Sequence, residues 1–393
     1  MSRPALAVEL DVNLSSSSAL VSELMGLGVV RGAGRGSSSG GRPAELLEVD
    51  PEFAQAIGVE LSHRGVSALV LDLSGRVVER VGGGLPARWR REEMTELLVR
   101  CVKQAVAKSG DVALAGIGLG VAGVMGAEPG VSREFPNVGD WHDVDLGASL
   151  REATGLDVEV DNDVRAATLA ELRWGAGRGL QDFLYLHIGR GIALGTVVGG
   201  RLHRGAFRAA GELGHFQVDP DGPVCYCGST GCLESVAAPP ALLAEAREAL
   251  LRGVKTSLSE KAPDPEKLGA PQLFAAAGEG DRFARNLVER AGRAIGRITA
   301  GIDNVLDPQA VVMGGLLAGG AESLARSIEQ GHRACVMPLI ENTTEFRSAA
   351  LGGDAPAVGG ATLVFERMFE DPDLLLSGPA ARRSPAASTE AQV

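Results

Sequence analysis

At 393 residues the chain is long enough for two or three domains with substantial cores, and its 54 glycines and 4% aromatic content suit a compact α/β protein rich in tight turns. No apolar run reaches the length of a membrane span, and the N-terminus lacks the basic-then-apolar pattern of a signal peptide, so no membrane partner is expected. A net charge of −12 argues against non-specific binding to nucleic acid, yet up to residue 43 four arginines (Arg3, Arg31, Arg35, Arg42) face only three acids (Glu9, Asp11, Glu23), so a small segment escapes an acidic body.

Residues 4–12, PALAVELDV, place Leu6, Leu10 and the small Ala5 and Ala7 at helical spacing, with Pro4 tolerated in the first turn. After a turn at Asn13-Leu14, Ser15 opens SSSSALVSELMGLGVV. There Leu20, Val21, Leu24 and Leu27 form an apolar stripe that Gly26 and Gly28 end. Two short helices joined by a tight turn read as the last two helices of a helix-turn-helix, with Ser15, Ser16, Ser17 and Ser18 presented to the major groove of DNA. The next stretch, RGAGRGSSSGGRPAELLEV, reads in two ways. It is either a wing, with strands at 28–31 and 44–49 and Arg35 in its Gly/Ser-rich tip, or a flexible linker. Gly41-Arg42-Pro43 resembles the short element that lays an arginine in a narrow, A·T-rich minor groove.

From Phe53 the pattern changes to strands. Segments 56–61, 66–73 and 76–82 read as a β-meander, followed by a helix at 91–109 and a buried strand at 113–123. A second copy of this order begins near Asp182, with strands at 183–189, 192–200 and 201–206. Helices are expected at 240–251, 271–277, 287–307, 321–330 and 355–367, the last returning to the first half. From 371 the chain turns Pro/Ala/Ser-rich and is expected to be disordered. The repeated order is similar to the two-lobed actin-like (ribonuclease-H-like) α/β fold of sugar kinases. Its lobes would be 51–160, completed by 340–370, and 161–339, closing over a cleft and preceded by a partial winged helix-turn-helix at 1–50.

Between 211 and 234 the chain reads GELGHFQVDPDGPVCYCGSTGCLE, with three of the five cysteines and one of the six histidines. The imidazole of His215 and the thiolates of Cys225, Cys227 and Cys232 suit a closed tetrahedral Zn²⁺ site; the alternative is free thiols near an ordinary histidine. Cys101 and Cys335 are isolated, which argues for a metal in a reducing, cytoplasmic compartment rather than for disulfides. Glu-x-Gly-His followed by Cys-x-Cys-Gly-x₂-Gly-Cys-x-Glu resembles the signature of the ROK family (repressors, open reading frames, kinases), whose pattern can be followed from Ala5 to Met368. The resemblance implies a structural zinc on His215, Cys225, Cys227 and Cys232. It also implies a sugar held by Asn137, Asn162, Asp163, Glu212, His215 and Glu234. ROK repressors carry a winged DNA-binding module before this body, with one more helix ahead of the one at Pro4, so this sequence is expected to supply the module only in part.

The phosphate loops separate the two branches of the family. In a kinase Asp163 would take the proton of the sugar hydroxyl; in a regulator it would only bind the sugar, and Asn and Asp also fit plain turn chemistry there. Phosphate cradles need glycines, because backbone N–H groups must approach the oxygens closely. The first loop, Asp-x-Gly-Gly-Thr in ROK kinases, reads Glu60-Leu61-Ser62-His63-Arg64 here. The second, Gly-Thr-Gly-x-Gly, reads Gly189-Arg190-Gly191-Ile192-Ala193, and the asparagine usual two residues beyond the catalytic aspartate is Arg165. Bulk at Ser62 and His63 would push the phosphates of ATP out of line. The expectation is therefore a sugar-responsive transcriptional regulator, a repressor acting on a DNA operator as a homodimer or dimer of dimers, with zinc and without ATP. The alternatives are an ATP-dependent hexose kinase and a sugar sensor that binds no DNA. Arg64 and Arg190 either favour an anionic ligand such as a sugar phosphate or pair with nearby acids such as Glu60.

Overall fold

The computed structural model describes residues 1–35, 44–85, 89–136, 138–339 and 343–376. They pack as two compact units. One comprises Met1–Val121, Asp145–Asp161 and the chain from Gly360; the other comprises Ala122–Val144 and Asn162–Gly359.

Two short helices open the chain, α1 (Arg3–Glu9) and α2 (Leu14–Gly26). Each starts on a polar cap: the Ser2 hydroxyl accepts from the Ala5 N–H, and the Asn13 side chain accepts from the Ser16 N–H at 2.8 Å. They pack together, burying Ala7 and Val21, and lead into an antiparallel hairpin of β1 (Val30–Arg35) and β2 (Glu45–Val49). Ser2 bridges Leu46, which draws the start of the chain onto β2. The first strand of the hairpin thus runs on to Arg35 instead of ending at residue 31. Two expectations on α2 need correction. Leu20 is 49% exposed, because it lies about 100° around the helix from Val21 and both cannot face α1. Ser17, placed above at the DNA face, is buried instead, its hydroxyl donating to the Arg3 carbonyl at 3.2 Å. Ser15, Ser16 and Arg35 are exposed and Ser18 is half-buried; Arg42 lies outside the described residues.

The body follows in β3 (Gln55–Ser62), β4 (Gly65–Asp72) and β5 (Val77–Gly84), then α3 (Arg91–Lys108) and β6 (Leu114–Val121). A small sheet of β7 (Val124–Met125), β8 (Val131–Glu134) and β9 (His142–Asp145) comes next, before α4 (Leu146–Thr154) and β10 (Val158–Asn162). The first large sheet has the order β10-β6-β3-β4-β5, with β6 parallel to β3 and the meander antiparallel.

In the second unit α5 (Asp163–Trp174) leads to β11 (Phe183–Ile188), β12 (Ile192–Val198) and β13 (Arg201–Leu202). Five helices follow: α6 (Leu233–Ala237), α7 (Pro239–Leu251), α8 (Leu258–Lys261), α9 (Ala270–Gly278) and α10 (Arg282–Leu306). Then come β14 (Ala310–Gly315), α11 (Glu322–Arg333) and β15 (Glu345–Ser348), before α12 (Ala355–Glu370) and α13 (Pro372–Leu376). The second large sheet has the order β13-β12-β11-β14-β15, with β14 parallel to β11. Each sheet sets two antiparallel strands on one side of its first strand and a parallel strand on the other. This is the duplicated α/β architecture of the actin-like fold. The core of the second unit is aliphatic, built from Leu184, Leu186 and Ile188 of β11, Leu287 and Ile295 of α10, and Leu324 and Ile328 of α11.

Three element boundaries differ from expectation. The strand expected at 201–206 stops at Leu202, as the chain leaves the sheet for a loop in which Gly205 and Arg208 both have positive φ. The long helix expected from 287 starts at Arg282, because the Asp281 carboxylate caps it by accepting from the Ala284 N–H at 2.8 Å. Helix α13 falls in the stretch expected to be disordered. Asp371 starts it by accepting from the Asp373 N–H at 3.0 Å, and the chain beyond 376 lies outside the described residues. Among the described residues no helix is long and apolar enough to cross a membrane.

Candidate functional site

The N-terminus of α5 carries two of the expected residues in one hydrogen-bonded knot. Asn162 caps the helix, its Oδ1 accepting from the N–H groups of Val164 at 3.0 Å and Arg165 at 3.1 Å. Its amide nitrogen donates to the Gly123 carbonyl at 3.0 Å and to Asp163 Oδ1 at 2.9 Å. The residue that starts the helix therefore also fixes the neighbouring carboxylate. Near the other end of α5 the buried Glu171 accepts backbone N–H groups from Ala176, Ala350 and Leu351, which holds the helix in place. Arg165 is buried and donates to the Ala210 carbonyl at 3.3 Å.

Burial pushes the Asp163 carboxyl above its ordinary pKa of 3.8, against the opposing pull of His187, backbone N–H groups and Arg165. A carboxyl raised by folding keeps a proton that the unfolded chain releases. Its stabilising contribution is complete below 3.8 and is lost as pH rises through the raised value. Asp163→Asn, which keeps the acceptor oxygen and removes the charge, is therefore expected to raise the melting temperature at neutral pH. The gain should vanish below pH 3.8. Melting curves across pH test this, and a lower melting temperature at neutral pH would contradict it.

A His/Cys cluster that could hold a metal ion is assembled in the loop between β13 and α6. His215, Cys225, Cys227 and Cys232 bring one ligand atom each to within 4.8 Å of one another. Cys225 Sγ stands 3.6 Å from His215 Nδ1, and Cys227 Sγ stands 3.8 Å from Cys232 Sγ. A tetrahedral zinc with bonds of about 2.3 Å to sulfur and about 2.0 Å to nitrogen imposes edges of about 3.8 Å (S···S) and about 3.5 Å (N···S), so these four residues fit a metal ion. Backbone bonds shape the turn: the Cys225 N–H donates to the Ser229 carbonyl at 2.7 Å and the Gly228 N–H to the Cys225 carbonyl at 2.9 Å. Gly231 has positive φ, and a Cβ there would lie 1.5 Å from the Asp219 carbonyl oxygen, so only glycine fits. The thiols differ in acidity. Backbone hydrogen bonding at Ser229 pulls Cys227 down to about 7, whereas burial and the neighbouring sulfurs push Cys232 up to about 12.

Two carboxylates flank the cluster. Glu212 Oε2 lies 3.9 Å from His215 Nε2. Glu234, two residues past Cys232, accepts from the Ile192 N–H at 3.1 Å. Loss of solvent raises the pKa of both. Asp163, Arg165, His215 and Glu234 all act electrostatically on Glu212, so these five side chains form one charged neighbourhood. Asn137 lies outside the described residues.

Both altered phosphate loops are tight turns between strands. In the first unit, Ser62 pairs with Gly65, so His63 and Arg64 form a two-residue turn after Glu60, with Ser62 half-buried and Arg64 exposed. In the second unit, Gly189, Arg190 and Gly191 connect β11 to β12, and Arg190 is exposed. A Cβ on Gly191 would lie 2.2 Å from the Glu234 carboxylate, and one on Gly189 would lie 2.7 Å from His187 Nε2. On β14, a Cβ on Gly314 would meet the Tyr185 hydroxyl at 2.1 Å and one on Gly315 would meet His187 at 2.9 Å. Glycines that read as relics of a phosphate cradle thus make room for Glu234, His187 and Tyr185. Sequence reasoning gave no role to His187, or to Tyr226, whose hydroxyl lies 3.0 Å from His215 Nε2. The available signal for Tyr226 was its place between two cysteines of the cluster.

The ROK family model matches residues 56–367. The glucokinase of Thermotoga maritima is 33% identical over 313 residues, covering 79% of this chain and 98% of the glucokinase. The xylose repressor of Caldicellulosiruptor bescii is 29% identical over 316 residues, 80% of this chain and 79% of the repressor. Among solved structures, a ROK family transcriptional regulator, a homolog of the E. coli MLC protein, superposes with a TM-score of 0.81 at 25% identity, covering 97% of this chain and 95% of its own. From its fold, its matched signature and these relatives, the chain belongs to the ROK family.

Proposed function

We propose that this protein is a sugar-responsive transcriptional repressor of the cytoplasm. The observation that carries the reading is the module of α1, α2 and the β1–β2 hairpin ahead of the body. Two helices and a hairpin make a partial winged helix-turn-helix, with Ser15, Ser16, Ser18, Arg35 and Arg42 as its DNA-facing residues. The glucokinase is matched along nearly its whole length and still accounts for only 79% of this chain, whereas the regulator structure takes in 97% of it. In the body, Asn137, Asn162, Asp163, Glu212, His215 and Glu234 bind the hydroxyls of a sugar. Zn²⁺ on His215, Cys225, Cys227 and Cys232 is structural: it ties the Glu212 strand of the loop to the Glu234 strand. A homodimer or dimer of dimers on a palindromic operator suits the module, since each copy reads one half-site.

A second reading, a hexose kinase with Asp163 as base, is favoured by the similarity to glucokinase. The filling of the second loop and the β14 turn by His187, Glu234 and Tyr185 weighs against it, because positioning of the phosphates is most of phosphoryl-transfer catalysis.

Binding of the purified protein to labelled DNA from its own upstream region, across a salt series, tests the proposal. The expected result is a specific complex whose affinity falls with salt and shifts at least tenfold when sugar is added. Sugar phosphorylation in a coupled ATP assay, with no specific DNA complex, would select the kinase instead.

A further inference from the structure

We propose that Tyr226 is the ligand sensor of this site: its hydroxyl holds the place of a sugar hydroxyl on His215, and a bound sugar displaces it. The inference rests on the sugar-binding reading above.

The two nitrogens of His215 face different groups. Nδ1 stands 3.6 Å from Cys225 Sγ, on the metal side, while Nε2 stands 3.0 Å from the Tyr226 hydroxyl. Were Nδ1 to hold the metal, the ring proton would sit on Nε2, which would donate, and the phenol oxygen would accept. Burial, with the charges of Glu234 and Glu212 behind it, keeps the phenol protonated. Pairing with that imidazole nitrogen is also what a sugar hydroxyl would do there. The gap from His215 Nε2 to Glu212 Oε2 supports this: 3.9 Å is too long for a direct hydrogen bond but lets one hydroxyl oxygen touch both.

Tyr226 is also built to leave. The residue is 48% exposed, its ring in an edge-to-face contact with His215 at 5.2 Å. The backbone that carries it is held separately, by the hydrogen bonds of Cys225 with Ser229 and Gly228. A change of rotamer can therefore free His215 Nε2 without disturbing the metal turn. Once displaced, the ring changes the exposed surface of the Cys-Tyr-Cys turn, so that surface reports whether the site is filled. The ligand class that follows is a neutral polyol with a hydroxyl able to bridge His215 and Glu212.

The chain has two tyrosines, and the other, Tyr185, is buried. Full-length zinc-loaded protein labelled with 3-fluorotyrosine therefore gives two ¹⁹F resonances. These are followed during titration with D-glucose and D-xylose, beside calorimetry on the wild type and Tyr226→Phe. One resonance, absent from Tyr226→Phe, is expected to move with sugar. The variant should keep its zinc and bind the sugar about fivefold more tightly, the worth of one competing hydrogen bond. Sugar binding with both resonances static, or a variant that binds no tighter than wild type, overturns the proposal and leaves sugar binding intact. Absence of binding heat from either sugar with either protein means that the sugar-binding reading has failed and takes this inference with it.

Discussion

Replacing Cys227 by alanine is expected to release the metal and to weaken sugar binding at least tenfold in the same step. Of the three clustered cysteines Cys227 is the exposed one, while Cys225 and Cys232 are buried. Its loss therefore opens no cavity in the core, and the consequences pass through the metal alone. A structural zinc holds all four of its positions with protein ligands, and three donors are left. What then loosens is the tie across the loop. The Gln217–Cys232 bridge and the Leu233 N–H donating to the Phe216 carbonyl at 2.7 Å remain, so the two strands stay adjacent. His215 and Glu212, however, lose the anchor that fixes the imidazole, and supports of this kind are worth about 10- to 100-fold in a site's affinity. Metal content by spectrometry and sugar binding by calorimetry check both halves. Cys335→Ala, an exposed cysteine outside the cluster, is the control expected to change neither. Loss of zinc with sugar affinity unchanged would show that the metal has no part in holding the sugar site.

The His/Cys cluster was legible in the sequence because all four residues fall in one short loop, where residue type and spacing carry the whole signal. The strands were legible for a similar reason. The segment expected at 56–61 is Gln55–Ser62, and that expected at 183–189 is Phe183–Ile188, since buried apolar runs bounded by turns need no distant information. Contacts between distant residues were not legible. Gly191 read as the remnant of a phosphate loop, yet its missing side chain admits the carboxylate of Glu234, far along the chain. Ser17 read as one of four equivalent serines; the position of α1 turns it inward. The signal was there: Ser17 stands one turn before Val21, on the face of α2 that is buried.

The glycines of β6 show the same limit and carry the largest stability effect expected. LAGIGLGV reads as a buried strand, and nothing local explains why it alternates with glycine. In the structure Gly118 lies against Gly360 of α12. A Cβ on Gly118 would sit 1.7 Å from the Gly360 carbonyl oxygen, and one on Gly360 would sit 2.4 Å from that of Gly118. Both obstacles are main chain, so no change of rotamer relieves them. The helix would have to lift away from the strand, and Ala361, Val364 and Met368, all buried, would lose packing with it. Gly118→Ala is therefore expected to cost about 3 kcal/mol or more, at the upper end for overpacking, and to lower the urea midpoint accordingly. The same substitution at Gly301 should act with the opposite sign. That residue is exposed in α10, has no atom within 4 Å of its would-be Cβ, and should gain about 0.5–1 kcal/mol from alanine's helix preference. Urea unfolding of the two variants beside the wild type decides the point. A Gly118→Ala protein as stable as the wild type would mean that α12 does not rest on the β6 backbone, and the reason for that glycine would have to be sought elsewhere.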